Sequence, residues 1–432
     1  MKLKRPKERS YRGIWKVGVV LLAIALVGIY LSGDRSGDKK IFVQIIEKVD
    51  PKSNWPSTDY PPCPKDLAGI LTAPLMEPKY ISTLTPLGNI NPPGHTSPVD
   101  HIYFSTNYAS KIPLLAPADA TITNLTEILK ADSFGKYQPT GYVVRYVVCD
   151  GLVLDFASYT SLIKPLQDEL ASKTPDCVYG IVKPGHTGGP EGQCYYNVKY
   201  KVKSGEKIGW VQAIRNGQSL DLPFEIWAAN YNKPARPDVN WDFYNDDRYA
   251  HSMCTFDLYS GDLKDQFYAK FGQMVNSDSK KKDPKSSGPV IFKPRTIEPI
   301  CGQVNQNIVG TIQGMWYAGT SVEMDLESQG KGLAFLHNNF DPSVGEISIG
   351  GTITEKAGLL EFEPTHSGTI NREPSEVKAD GEVYCYDAAP NEWMLGGRVL
   401  VQLVDEIQLK AEHQLEKCTG QESFLSPITY RR

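Results

Sequence analysis

Residues 92–104 read PPGHTSPVDHIYF, and they bring His95, Asp100 and His101 together just ahead of a strand-like alternation. Imidazole nitrogen and carboxylate oxygen are ordinary zinc donors, and the same pair of groups can move a proton. The bland reading is that a His or Asp beside Pro and Gly simply caps a turn. No Gly-x-Ser-x-Gly elbow accompanies the cluster, which leaves a serine-hydrolase triad unsignalled. The chain also has no phosphate-binding glycine loop and no CxxC pair with zinc-finger spacing. His251, His337, His366 and His413 are scattered, with surface or turn roles as their default. His186 lies in the Gly/Pro-rich insert PGHTGGPEG, which could fold over a groove.

The elements that must position these groups read mostly as strands. HIYFS, ATITNL, YVVRYVVCDGLVLDFASY, CYYNVKYKV, KIGWVQ and LPFEIWAAN are short β-rich runs separated by turn residues. Two helices are expected, SLIKPLQDELASK over 161–173 and LKDQFYAKFGQMV over 263–275. A first domain is thus expected over 61–275. The Lys/Ser/Pro stretch 276–289 reads as a solvated linker. Residues 290–432 hold a second series of strands, from GTIQGMWYAG to RVLVQLVD, whose spacing suits an antiparallel barrel or sandwich. Trp316, Tyr317 and Trp393 there are either core or the lining of a small-ligand pocket.

The N-terminus carries a different signal. Residues 1–13 form a basic tail, and no charge interrupts Val17–Gly33. That run spans about 25 Å as a helix, and a snorkelling Lys16 lets Ile14 and Trp15 extend it. Residues 14–33 are therefore expected to cross a membrane once, with the basic flank in the cytoplasm and the bulk outside. A cleaved signal peptide is the alternative, since Ala23 and Ala25 have small-x-small spacing. Residues 34–60 read as a juxtamembrane linker. The eight cysteines agree with export and suggest disulfides, with Cys177–Cys194 the best single guess because the two bracket the insert. A net charge of −4 with no basic stripe gives no footprint for nucleic acid.

Taken in order, the motifs over 88–230 resemble the lysostaphin-type (LytM-type) zinc endopeptidases, which cleave peptidoglycan cross-bridges. The family reads His-x-x-x-Asp, Ala-Pro-x-x-Gly, Tyr-x-His-Leu, Val-x-x-Gly-x-x-Ile-Gly and His-x-His-Phe-Glu. The most specific match is VKSGEKIGWV, with Val202, Gly205, Ile208 and Gly209 in place. LAPADATIT matches with Ala120 where Gly is usual. The resemblance implies a compact antiparallel β-domain, zinc, and a cell-wall peptide or glycan as partner.

Departures fall on the chemistry. The first motif is one residue too long, so Asp100 is the ligand equivalent and either His95 or His101 the imidazole. The last motif reads Asp221-Leu222-Pro223-Phe224-Glu225. Pro223 has no lone pair to replace the final ligand, and Asp221 stands for the general base. Ser158 stands for another catalytic His. Glu225 lies roughly 7 Å along the strand from Pro223, too far to substitute unaided. A hydrolytic zinc needs three protein ligands and an open position. The expectation is a degenerate, non-catalytic member that binds a wall component or an envelope protein, with no cofactor and with Glu225 and His186 at the groove. An active enzyme with zinc rebuilt on His95, Asp100 and His101 is the alternative.

Overall fold

Three short sequences set the first sheet by alternation. In β2 (His101–Ser105) Ile102 and Phe104 enter the core. In β11 (Phe224–Asn230) Phe224, Ile226 and Ala228 do so, and in β6 (Leu152–Tyr159) Leu152, Leu154 and Phe156. A period of two leaves the opposite face to His101, Tyr103, Glu225, Trp227 and Asp155. A computed structural model describes residues 59–92, 94–106, 111–181, 190–212, 224–234, 247–276, 290–319, 331–387 and 396–432. These all belong to one compact unit, Trp55–Arg432. The basic tail, the apolar run at 14–33, most of the linker, His186, Asp221, Pro223, Trp393 and 277–289 lie outside the described residues. Among those described, no helix is long and apolar enough to cross a membrane.

The molecule is mainly β, as expected. The first sheet has eight strands, in the order β1 (Thr83–Thr85), β2, β11, β6, β5 (Tyr137–Cys149), β4 (Ala120–Ala131), β9 (Glu191–Val202) and β8 (Asp176–Ile181). Every pairing in it is antiparallel. A small antiparallel sheet has the strand order β3 (Ile112–Leu115), β10 (Lys207–Val211), β7 (Ser161–Leu162), with β10 in the middle. VKSGEKIGWV forms the turn from β9 into β10, and its two glycines have separate physical reasons. Gly205 turns with φ +79°, and a Cβ on Gly209 would stand 2.3 Å from the Ser161 carbonyl.

The second set of strands closes almost completely into a barrel. Its order is β17 (Gly358–Phe362), β16 (Gly345–Ile349), β15 (Gly332–His337), β14 (Gly314–Ala318), β21 (Ile428–Arg431), β20 (Gln408–Gln414), β19 (Arg398–Asp405) and β18 (Tyr384–Asp387). The end strands β17 and β18 approach each other. Trp316, Phe335, Phe362, Tyr386 and Tyr430 help to fill its interior. Trp316 and Tyr317 are thus core, not exposed pocket lining, because β14 is buried on both faces.

Both helix expectations ran too long. Helix α1 (Lys164–Ala171) starts only after Ser161 and Leu162 have paired with β10. After α2 (Asp247–His251), α3 (Gly261–Tyr268) ends early, and Gly272–Asn276 is a strand, β12. It pairs antiparallel with β13 (Val290–Pro294). Tertiary pairing overrode an apolar spacing that suits either element.

All eight cysteines are paired, as Cys63–Cys149, Cys177–Cys194, Cys254–Cys301 and Cys385–Cys418. The Cys177–Cys194 expectation holds, with the two residues opposite each other on β8 and β9. Such a set fits an oxidising, extracytoplasmic environment.

Candidate functional site

Cross-strand register assembles the site. Trp227 stands opposite His101 on one side and Asp155 on the other. Asp155 stands opposite Arg145, Arg145 opposite Asn124, and Asn124 opposite Asn197. A single polar row therefore crosses β2, β11, β6, β5, β4 and β9. The next row places Tyr103 opposite Glu225.

The row is tied by charge. Arg145 Nε and Nη2 donate to the two Asp155 oxygens, each at 2.7 Å. Burial disfavours the Arg145 cation, but Asp155 outweighs burial and raises its pKa. Arg248 on α2 bridges the two carboxylates. Its Nε donates to Asp100 Oδ2 at 3.1 Å, and its Nη1 lies 4.0 Å from Asp155 Oδ2. Its guanidinium also sits 5.1 Å from the Trp227 ring centroid.

Asp100 is the focus of this arrangement. Its Oδ1 accepts from Trp227 Nε1 and from His101 Nδ1, both at 3.1 Å. Burial would raise its pKa, yet Arg248 and His101 together hold the carboxyl well below the usual range. His101 donates its Nδ1–H to that carboxylate in a hydrogen bond, so in the neutral ring Nε2 carries the lone pair. This Nε2 is buried and has no hydrogen-bond partner among the described residues.

His95 arrives on a closed loop. Its backbone N–H and C=O exchange hydrogen bonds with Asn91 at 2.9 and 2.8 Å, and Gly88 N–H donates to Val99 O at 2.9 Å. The His95 Nε2 and the Tyr103 hydroxyl share a 2.9 Å hydrogen bond. The His95 and His101 rings are 5.3 Å apart, and His101 lies 4.7 Å from Tyr103 and 4.8 Å from Trp227. Burial first, then the Glu225 and Asp100 charges, raise the Tyr103 pKa.

His95, Asp100 and His101 are thus brought together, as their spacing suggested. They do not fit a zinc centre. Asp100 spends both oxygens on N–H donors, one of them a guanidinium, and His95 Nε2 is engaged by Tyr103. Among the described residues, no group of three or more His, Cys, Asp or Glu side chains is arranged to hold a metal ion. Glu225 is half-buried on the same face. Ser158 sits in a β-bulge between the pairs Phe156–Val144 and Tyr159–Tyr142, with φ +81°. Positive φ is uncommon for a residue with a Cβ and marks local strain.

Sequence reasoning missed Arg145, Asp155, Trp227 and Arg248. A signal existed for two of them. YVVRYVVC and LVLDFASY each carry one charge inside an apolar strand, and a buried charge needs an opposite partner. Nothing local pointed to Arg248, which comes from a short helix far along the chain.

Fold and site together define a mainly β, disulfide-paired protein with a half-buried ionic and aromatic face on its first sheet. No family model, curated protein or solved structure matches this chain.

Proposed function

We propose that this chain is a non-catalytic binding or scaffolding protein of the cell envelope. Residues 14–33 anchor it in the membrane, with its N-terminus in the cytoplasm. Its first β-domain is a lysostaphin-type peptidase-like module, and the face around His95, Tyr103, Glu225 and Trp227 takes a cell-wall peptide or glycan. An envelope protein using the same face is the companion reading.

The observation that carries the proposal is Arg248 on Asp100. In the resemblance Asp100 is a metal ligand. Here a guanidinium supplies the positive charge, with no Lewis acidity to activate water. Two features support ligand binding in place of hydrolysis. Aromatic and polar side chains share one partly open face, and the buried His101 Nε2, with no donor among the described residues, would accept from a ligand N–H or O–H that displaced its cover. That same Nε2 is the one observation favouring the alternative, an active endopeptidase with zinc on His95, Asp100 and His101. Small-ligand binding by the barrel has less behind it, since Trp316 and Tyr317 are spent on packing.

One experiment separates the readings. The full chain in detergent is incubated with purified peptidoglycan sacculi, with and without added zinc. Binding without release of soluble peptides is expected, weakened several-fold by Trp227→Ala. Zinc-dependent release of cross-bridge peptides that Asp100→Ala abolishes would overturn the proposal.

A further inference from the structure

Strands β14 and β15 are shared between two cores. Trp316, Leu333 and Phe335 point into the barrel, whereas Met315, Tyr317, Ala334 and Leu336 belong to the core of the first sheet. A barrel swinging on a linker would keep its outer face polar. This one presents an apolar strip to its neighbour, and Tyr317 in that strip meets the segment carrying His95 and Asp100.

The hydrogen bonds there are specific. The Tyr317 hydroxyl and the Ser97 Oγ share a 3.1 Å bond, with the two residues only 2% and 4% exposed. Tyr249 donates to Pro98 O at 3.1 Å and lies 3.6 Å from Met315 Sδ. Tyr249 is the neighbour of Arg248, so the helix that holds Asp100 also rests on the barrel. At the start of the loop, Asn339, just past β15, donates to Pro86 O and Leu87 O at 3.0 and 2.7 Å. Backbones touch there too, because a Cβ on Gly88 would fall 2.0 Å from the Gln303 carbonyl.

We infer that the barrel is part of the site: Tyr317, assisted by Met315, is a positioning residue that sets where the His95–Asp100 segment lies. Ser97 is two residues from His95 and three from Asp100, so displacement at Ser97 is carried to both. A buried hydroxyl pair has no water to replace a lost contact, so removing the Tyr317 hydroxyl takes away one of the bonds that hold Ser97 in place and lets the loop shift. The inference rests on reading that segment as the ligand site.

The test uses the full chain in detergent, with histidine rings labelled for NMR. Tyr317→Phe removes one hydroxyl and keeps the ring. The His95 and His101 resonances should shift and broaden, and retention on sacculi should fall several-fold. Tyr386→Phe is the control, a buried barrel tyrosine whose hydroxyl donates to Arg372 O at 2.8 Å. It should cost comparable thermal stability and move neither imidazole. If Tyr317→Phe behaves like Tyr386→Phe, Tyr317 is a core residue only and the inference is wrong. Should Tyr317→Phe not fold, Met315→Leu takes its place, since it keeps the volume and removes the sulfur beside Tyr249. If the parent chain does not bind sacculi but both imidazoles respond to Tyr317→Phe, the inference stands and the ligand assignment falls.

Discussion

Arg145 and Asp155 face each other across β5 and β6 and share two parallel hydrogen bonds of 2.7 Å. This bidentate pair is the fixed point of the site, because Arg248 leans on the same carboxylate while it holds Asp100. Planar guanidinium and carboxylate groups match in this geometry in a way that a lysine would not.

Breaking the pair on one side should cost far more than removing both charges. Asp155→Asn leaves the largely buried Arg145 guanidinium without the Asp155 charge, and a loss of about 3–5 kcal/mol is expected. The double variant Asp155→Leu with Arg145→Met should recover most of it. Urea denaturation of the parent and of both variants measures the difference. Equal losses in the single and double variants would show that packing, not charge, holds β5 to β6.

Asp100 predicts an acid limb in the stability curve. Its folded pKa lies below the unfolded value, so its contribution is complete above about pH 4 and fades as pH falls toward the folded pKa. Thermal stability followed from pH 7 to pH 2 should therefore drop steeply below pH 4. Asp100→Asn should be less stable at pH 7 and show a shallower drop. A variant curve parallel to the parent's would mean that Asp100 is not the group responsible.

The disulfides should rank by the chain they close. Cys63–Cys149 spans 86 positions and Cys177–Cys194 spans 17. On loop-closure entropy, losing the first costs about 4–5 kcal/mol and losing the second about 3 kcal/mol. Paired Cys→Ser variants, compared by midpoint of urea unfolding, give the order directly. The reverse order would indicate that the edge strand β8 depends on its staple more than entropy alone predicts.

Much of the scaffold was legible in advance. Alternation in HIYFS and LPFEIWAAN marks which residues enter the core, and two strands of the observed sheet follow that alternation. The Cys177–Cys194 pair was legible because a short insert brings its ends together. The helix limits at 161 and 275 were not, since Ser161, Leu162, Met274 and Val275 have spacings that suit helix and strand equally. Their partners on β10 and β13 decided the matter.

For the site, the sequence alone determined that His95, Asp100 and His101 would be neighbours, because residues a few positions apart on a constrained loop cannot separate far. It also determined that Arg145 and Asp155 would need partners, because lone charges in apolar strands are costly. Only the tertiary structure decided what those groups meet. Strand order put Asp155 beside Trp227, α2 carried Arg248 to Asp100, and the barrel brought Tyr317 to Ser97. Pairings between residues this far apart in the chain depend on register and packing of the whole chain, and no local spacing encodes them.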